Sequence, residues 1–238
     1  LSRKFVTDEK DSFKRARSDE QKGERREEIL EAAQALLLES ETERELSLND
    51  LARRVGMAKS NLYRYFESRE AILLELLRRE WTGWLVDFEE TLRCHERVPL
   101  VNDAARHAFL DKLAAMLAKS FAARPFLGRL SAILPTVLEH NVEAQTVFDF
   151  KRDAVEFFRR VAALLYETAP LLPPRRYEEL LHLSLTALVG AWSFGHPSPE
   201  VRAVLHRPEL ASMRRDFERD FTRHVSLLAR ALLAESDC

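Results

Sequence analysis

Gly56 divides two short segments of helical apolar spacing in LARRVGMAKSNLYRYF, residues 51–66, and few folds accommodate that arrangement. Upstream, Ser47 with Asp50 three residues later makes a capping-box pattern, and Leu48, Leu51, Ala52 and Val55 share one helix face. A glycine just after such a face is a helix stop, because it accepts positive φ without strain. A third short helix is expected over about 58–65. Two short helices joined by a glycine-containing turn make a helix-turn-helix. Leu51, Ala52, Val55, Met57 and Leu62 fill the angle between the helices, with Ala52 small where the second helix crosses.

The surrounding sequence predicts helices almost throughout. Only 6 Gly and 9 Pro occur in 238 residues, charges recur every few positions, and no segment shows strand alternation. Residues 1–22 mix acids and bases without apolar periodicity and are expected to form a mobile arm. The first helix is expected from about Glu24 to the polar run at 40–45, with Ile29, Ala32, Ala33, Leu36 and Leu37 inward. Ser68 is expected to cap a long fourth helix that continues through Trp84 and Phe88 to about Cys94. Beyond Pro99, turn signals at Pro125, Pro170, Pro173–Pro174, Pro197–Pro199 and Pro208 predict helices near 102–120, 125–141, 143–168, 174–195 and 207–235. Pro135 should kink the second of these. The predicted organisation is an arm over 1–22, a helix-turn-helix domain over 23–80 and a helical domain over 81–238.

With the fold-forming positions assigned, Lys59, Ser60, Asn61, Tyr63 and Arg64 are left at the start and outer face of the second helix of the pair. In a helix-turn-helix that end enters the major groove. Serine and asparagine can donate and accept at base edges, lysine reaches guanine acceptors or phosphate, and tyrosine offers a ring and a hydroxyl. Arg53, Arg54, Lys59, Arg64 and Arg69 outnumber Glu67 and Glu70 locally, although the chain as a whole carries a net charge of −2. The same spacing also suits a helical hairpin in a protein–protein adaptor, whose basic residues would be a solvated face.

Residues 24–70, above all GMAKSNLYRYFESREAILLELL, resemble the N-terminal domain of the TetR (tetracycline-repressor-like) family of transcription regulators. The order is the family's: a leading helix, a capped second helix, a recognition helix ending in Tyr-x-Tyr-Phe, then Ser-Arg-Glu opening helix four. The resemblance implies base or nearby backbone contacts at Lys59, Ser60, Asn61 and Tyr63, phosphate contacts at Tyr65 and Arg69, and a further contact at Ser47 to Asn49. Phe66 matches a buried place. Arg69 departs from a more usual lysine, and the leading arm is longer than many members carry. The fold implied is all-α, a three-helix helix-turn-helix domain joined by a long helix to a C-terminal bundle that dimerises.

In the C-terminal half, Leu210, Met213, Phe217, Phe221, His224, Leu228 and Ala231 make an apolar stripe, and Ser184, Ala187, Leu188 and Ala191 give the preceding helix a small-residue face. A monomeric bundle would show the same stripes; the resemblance implies a homodimer built on these two helices. By the same analogy an effector cavity is expected. RPFLGRLSAILPTVLEHNV is similar to the C-terminal domains of one subset of the family. Trp84, Phe88, Phe109, Phe126, Glu139, His140, His182 and Trp192 are the candidate lining, against the alternative of an ordinary aromatic core and a polar helix end. Gly83 is a candidate bending point of helix four.

Seven His show no ligand spacing, so no metal is expected, and no cofactor. No nucleophile elbow or phosphate-binding glycine loop occurs, so the chain is expected not to be an enzyme. Cys94 and Cys238 make no disulfide framework, no apolar run reaches membrane length, and Lys4, Asp8, Glu9 and Lys10 stand where a signal peptide would be apolar. A cytoplasmic location follows as the expectation. The expected partners are a near-palindromic double-stranded DNA operator, a second copy of the chain and a small-molecule effector, with repression favoured over activation.

Overall fold

The computed structural model of the chain describes residues 4–39, 46–94 and 102–236, and for residues 4–19 the backbone alone. Among them are ten α-helices and no strand. These are α1 Lys4–Glu39, α2 Leu48–Arg54, α3 Lys59–Leu62, α4 Arg69–Arg93, α5 Asp103–Ala122, α6 Pro125–Ile133, α7 Ala144–Thr168, α8 Pro174–Gly195, α9 Pro199–Leu205 and α10 Phe217–Ser236. No described helix is long and apolar enough to cross a membrane. The polar run 40–45 and the break at Pro99 lie outside the described residues.

The expected arm over 1–22 needs correcting in one respect: the backbone is helical from Lys4, not from Glu24. Lys, Arg, Glu and Gln are good helix formers without any apolar stripe, so periodicity alone places the start too late. Two further differences lie downstream. After α6 the chain widens into a π-helical turn, Leu134–Leu138, in which the Glu139 amide donates to the Leu134 carbonyl at 3.3 Å. That wider turn accommodates Pro135, which has no amide to give. The single helix expected over 207–235 is instead a 3₁₀ turn, Pro208–Met213, followed by α10. Arg214 is extended there, and its guanidinium caps the end of α9 by donating to the carbonyls of Leu205 and His206, both at 2.8 Å.

The chain forms two compact units. One runs up to Leu76 and includes the return segment His140–Glu143; the other comprises Leu77–Glu139 and the chain from Ala144 onward. In the first unit, Ile29, Leu30, Ala33 and Leu37 of α1 are buried, as are Leu51, Ala52, Leu62, Phe66 and Ile72 to Leu74. The Glu143 amide of the return segment donates to a Glu67 carboxylate oxygen at 2.8 Å. Ser68 caps α4 by accepting from the Ala71 amide at 3.0 Å.

In the second unit α10 packs on α5 and α8, and α8 also packs on α6 and α7. Trp81 stacks on Phe157, and Trp84 stacks on Phe88 and meets Phe121. Tyr177 is buried and its hydroxyl donates to the Ala169 carbonyl at 2.7 Å. Burial pushes its ionisation up to about 12, so it stays a donor at any ordinary pH. A Cβ at Gly83 would lie 3.2 Å from the Arg124 guanidinium, the far end of a long side chain that can shift to admit it. That guanidinium bonds to Glu80 and Asp87, on the same face of α4.

Candidate nucleic-acid interface

The helix pair is built by short-range hydrogen bonds that the sequence pattern anticipates. The Ser47 hydroxyl accepts from the amides of Asn49 and Asp50 at 3.2 and 3.5 Å, capping α2. Gly56 has φ of +66°, and the Met57 amide returns to the Ala52 carbonyl at 2.9 Å, closing α2 with a Schellman-type turn. A side chain at that φ would be strained, which is why the turn carries glycine. The chain then enters α3, where Leu62 is buried and Lys59, Ser60 and Asn61 are exposed.

Tyr63 is 50% exposed, Arg64 is exposed, and Tyr65 is half-buried. The regular helix ends at Leu62, and residues 63–65 continue as a turn rather than as the helix expected to 65. Besides backbone bonds from Arg64, Tyr65 and Phe66 to Asn61 and Leu62, this turn is held by Arg26, which sequence reasoning passed over. Its guanidinium donates to the Tyr65 carbonyl at 2.8 Å, lies 4.1 Å above the Phe66 ring and pairs with Glu75 at 3.7 Å. Three contacts from α1 thus set the aim of the following loop. Arg26→Ala is expected to cost about 1–3 kcal/mol, from one charge-assisted bond and one cation–π contact. Urea unfolding and faster hydrogen exchange at the α3 amides check this.

The local positive charge is less free than the count of basic residues suggests. Arg53 pairs with Asp50 at 3.1 Å, and Arg54 binds Glu39 through two bonds of 2.8 and 2.9 Å. The bond from Arg54 holds the Glu39 carboxyl below its ordinary range. Arg69 donates from Nε and a terminal nitrogen to one oxygen of buried Glu70, at 3.1 and 2.7 Å. Lys59 and Arg64 are exposed and have no acidic partner among the described residues. The face that remains is Lys59, Ser60, Asn61, Tyr63 and Arg64, with Asn49 exposed at the start of α2 and Ser47 half-buried at its cap.

The candidate effector residues are scattered. Trp84 lines an internal cavity of the second unit. Phe88 and Phe126 are buried, and Phe109 is half-buried on α5, all outside that cavity's lining. Trp192 packs on His196, Phe217 and Gly128, where an added Cβ would sit 2.2 Å from its ring. Glu139 pairs with Lys151, His140 belongs to the first unit, and His182 is exposed. Trp84 and Phe88 line a second, more open pocket beside Arg124, and the other six candidates border neither space: helical spacing reports burial but not which residues share a space.

The expected dimer residues also divide. Ser184, Leu188, Ala191, Phe217 and Phe221 are buried within their own unit, because the stripe continuing through Val225, Ala229 and Leu232 is the face of α10 turned toward α5 and α8. Those five are buried in the protomer, and Ala191 also borders the groove on α8 and α10. Ala187, His224 and Leu228 line an open groove between α8 and α10 with Leu183, Phe194 and Leu227, and Met213 is exposed in the 3₁₀ turn. Phe194 and Leu227 are 71% and 52% exposed.

Residues 29–76 match the profile of the bacterial regulatory proteins of the tetR family, and residues 79–236 that of the tetracyclin repressor-like C-terminal domain. The chain belongs to the TetR family. It is a transcription regulator of that family and not an enzyme. Solved structures similar to this TetR-family chain include a TetR-family regulator from Mesorhizobium loti MAFF303099, with 17% identity, 90% of this chain and 97% of that one covered, and a TM-score of 0.45. Another is the fatty acid degradation regulator FadR from Bacillus halodurans, with 15% identity, 88% and 94% coverage and a TM-score of 0.48. A regulator from Streptomyces coelicolor A3(2) has 22% identity, 87% and 97% coverage and a TM-score of 0.42. No curated protein matches the chain.

Proposed function

We propose that this TetR-family regulator is a homodimeric repressor that binds a near-palindromic operator and is released from it by a small molecule. The observation that carries the reading is the division of labour in residues 51–66. Leu51, Ala52, Leu62 and Phe66 are buried, while Lys59, Ser60, Asn61, Tyr63 and Arg64 are turned to solvent on one short element. In each protomer that element enters a major groove, and the two half-sites lie about 34–36 Å apart or a multiple of it. Asn61 reads a base edge, Lys59 and Arg64 meet base or phosphate, and Tyr63 supplies an apolar ring and a hydroxyl. Ser47, Asn49, Tyr65 and Arg69 are proposed to grip the backbone nearby.

Dimerisation is supported by the exposed apolar face of α8 and α10, where Leu183, Phe194 and Leu227 lie beside Ala187 and Leu228. The effector binds the second unit and favours dimers whose reading elements are wrongly spaced. By linkage, it weakens DNA binding by the factor by which DNA weakens its own binding.

Asn61→Ala is expected to lose about 1–3 kcal/mol of discrimination between operator and random DNA, with less effect on random DNA itself. Competition gel shifts measure this, and equal losses on both DNAs contradict a base-reading role.

A further inference from the structure

We infer that the cavity enclosed by α4, α5, α6, α7, α8 and α10 binds a small, uncharged ligand with a flat apolar body and one hydrogen-bonding group, held by Ser131 and Ser184. The inference rests on the ligand-released reading above and gives the effector a chemical class.

Two buried hydroxyls carry it. Ser131 of α6 and Ser184 of α8 both line the cavity, both are buried, and neither hydroxyl oxygen has a hydrogen-bond partner among the described residues. Several helical hydroxyls elsewhere in this chain bond to their own backbone, and Ser226 of α10 bonds to the Asp111 carboxylate. Thr91, Thr168 and Ser193 each donate to the carbonyl four residues earlier, at 2.7 to 2.8 Å. The two cavity serines do not, although that bond is open to any serine in a helix. A buried polar group left unmade is unfavourable, so two facing one cavity are groups waiting for a partner.

The remaining lining fixes the rest of the class. It is aromatic and aliphatic, with Trp81, Trp84, Phe121 and Phe157 among its walls, and contains no Asp, Glu, Lys, Arg or His. A carboxylate or ammonium would be desolvated there without a counter-charge. A quaternary ammonium could use the aromatic faces but would leave both hydroxyls unpaired. A neutral aromatic ring carrying a hydroxyl or amide-like group satisfies both demands. The cavity measures about 40 Å³, so such a ligand must push one wall outward. Phe158 is the side chain placed to yield, since it is half-buried and its ring lies 4.5 Å from exposed His182.

Calorimetric titration of the full-length free protein with phenol, toluene, benzoate and benzyltrimethylammonium tests this, with quenching of Trp81 and Trp84 fluorescence as a second readout. Phenol is expected to bind about tenfold more tightly than toluene, an order consistent with one added hydrogen bond, and both charged probes much more weakly. The Ser131→Ala, Ser184→Ala double variant should bind phenol and toluene alike, without loss of thermal stability. Phe158→Ala should bind phenol more tightly than the wild type. Failure of phenol to bind at millimolar concentration, equal binding of a charged probe, or a phenol preference that survives the double variant would each overturn the assignment. Phenol binding as expected, with operator affinity unchanged, would leave the site standing and reject ligand release. A compound that frees the operator equally from wild type and double variant would keep ligand release and reject this site.

Discussion

Phe194→Glu combined with Leu227→Glu is expected to turn the dimer into monomers and to weaken operator binding by about 10²–10⁴-fold. Both side chains are exposed on the protomer, on the two helices that frame the apolar groove. In an isologous interface each patch meets its own copy, so two added carboxylates per protomer bring four like charges into one desolvated contact. The loss of DNA affinity follows from effective concentration, because the second half-site is reached cheaply only while the protomers are linked. The protomer fold should change little, since substitutions at exposed positions are usually worth less than about 0.5 kcal/mol. Sedimentation and gel shift read the two effects separately. A dimer that persists in the double variant places the interface elsewhere.

Phe88→Ala is expected to cost about 3–5 kcal/mol of stability, the range for truncating a fully buried aromatic. Phe88 has no exposed surface, and its ring stacks on Trp84 at 4.7 Å between centroids. Trp84 in turn meets Phe121 and Phe157 and donates from its indole nitrogen to the Ser120 hydroxyl at 2.9 Å. Removing one ring opens a void beside a side chain that joins three helices. Urea unfolding at fixed protein concentration measures it, because dimerisation adds a concentration-dependent part to the apparent stability. A loss under 1 kcal/mol would mean that the neighbouring rings close over the gap.

The helix-turn-helix was legible in the sequence because its constraints are local. Ser47, Ala52, Gly56 and Leu62 stand within sixteen residues, and each has one geometric reason to be what it is. Arg26 was not legible, because it acts on a turn 39 residues further on. The same limit explains the C-terminal half. The 3.6-residue period marks Phe217, Phe221 and Ser184 as inward-facing but cannot say whether they face a neighbouring helix, a partner or a cavity. Ser131, Phe157 and Ser184 meet around one space from three different helices, and no spacing in the chain records that. The turn at Arg214 was missed because an arginine that caps α9 through its side chain looks, in sequence, like any residue of a helical stripe.

Whether residues 59–64 read a specific duplex is decided by selecting bound DNA from a random pool with the full-length protein. The expected result is enrichment of a near-palindrome that binds at least about 10³-fold more tightly than its scrambled version. Affinity for both should fall linearly in log–log terms with salt. A pool that yields no enriched sequence, or an enriched duplex bound no better than its scrambled version, would contradict it.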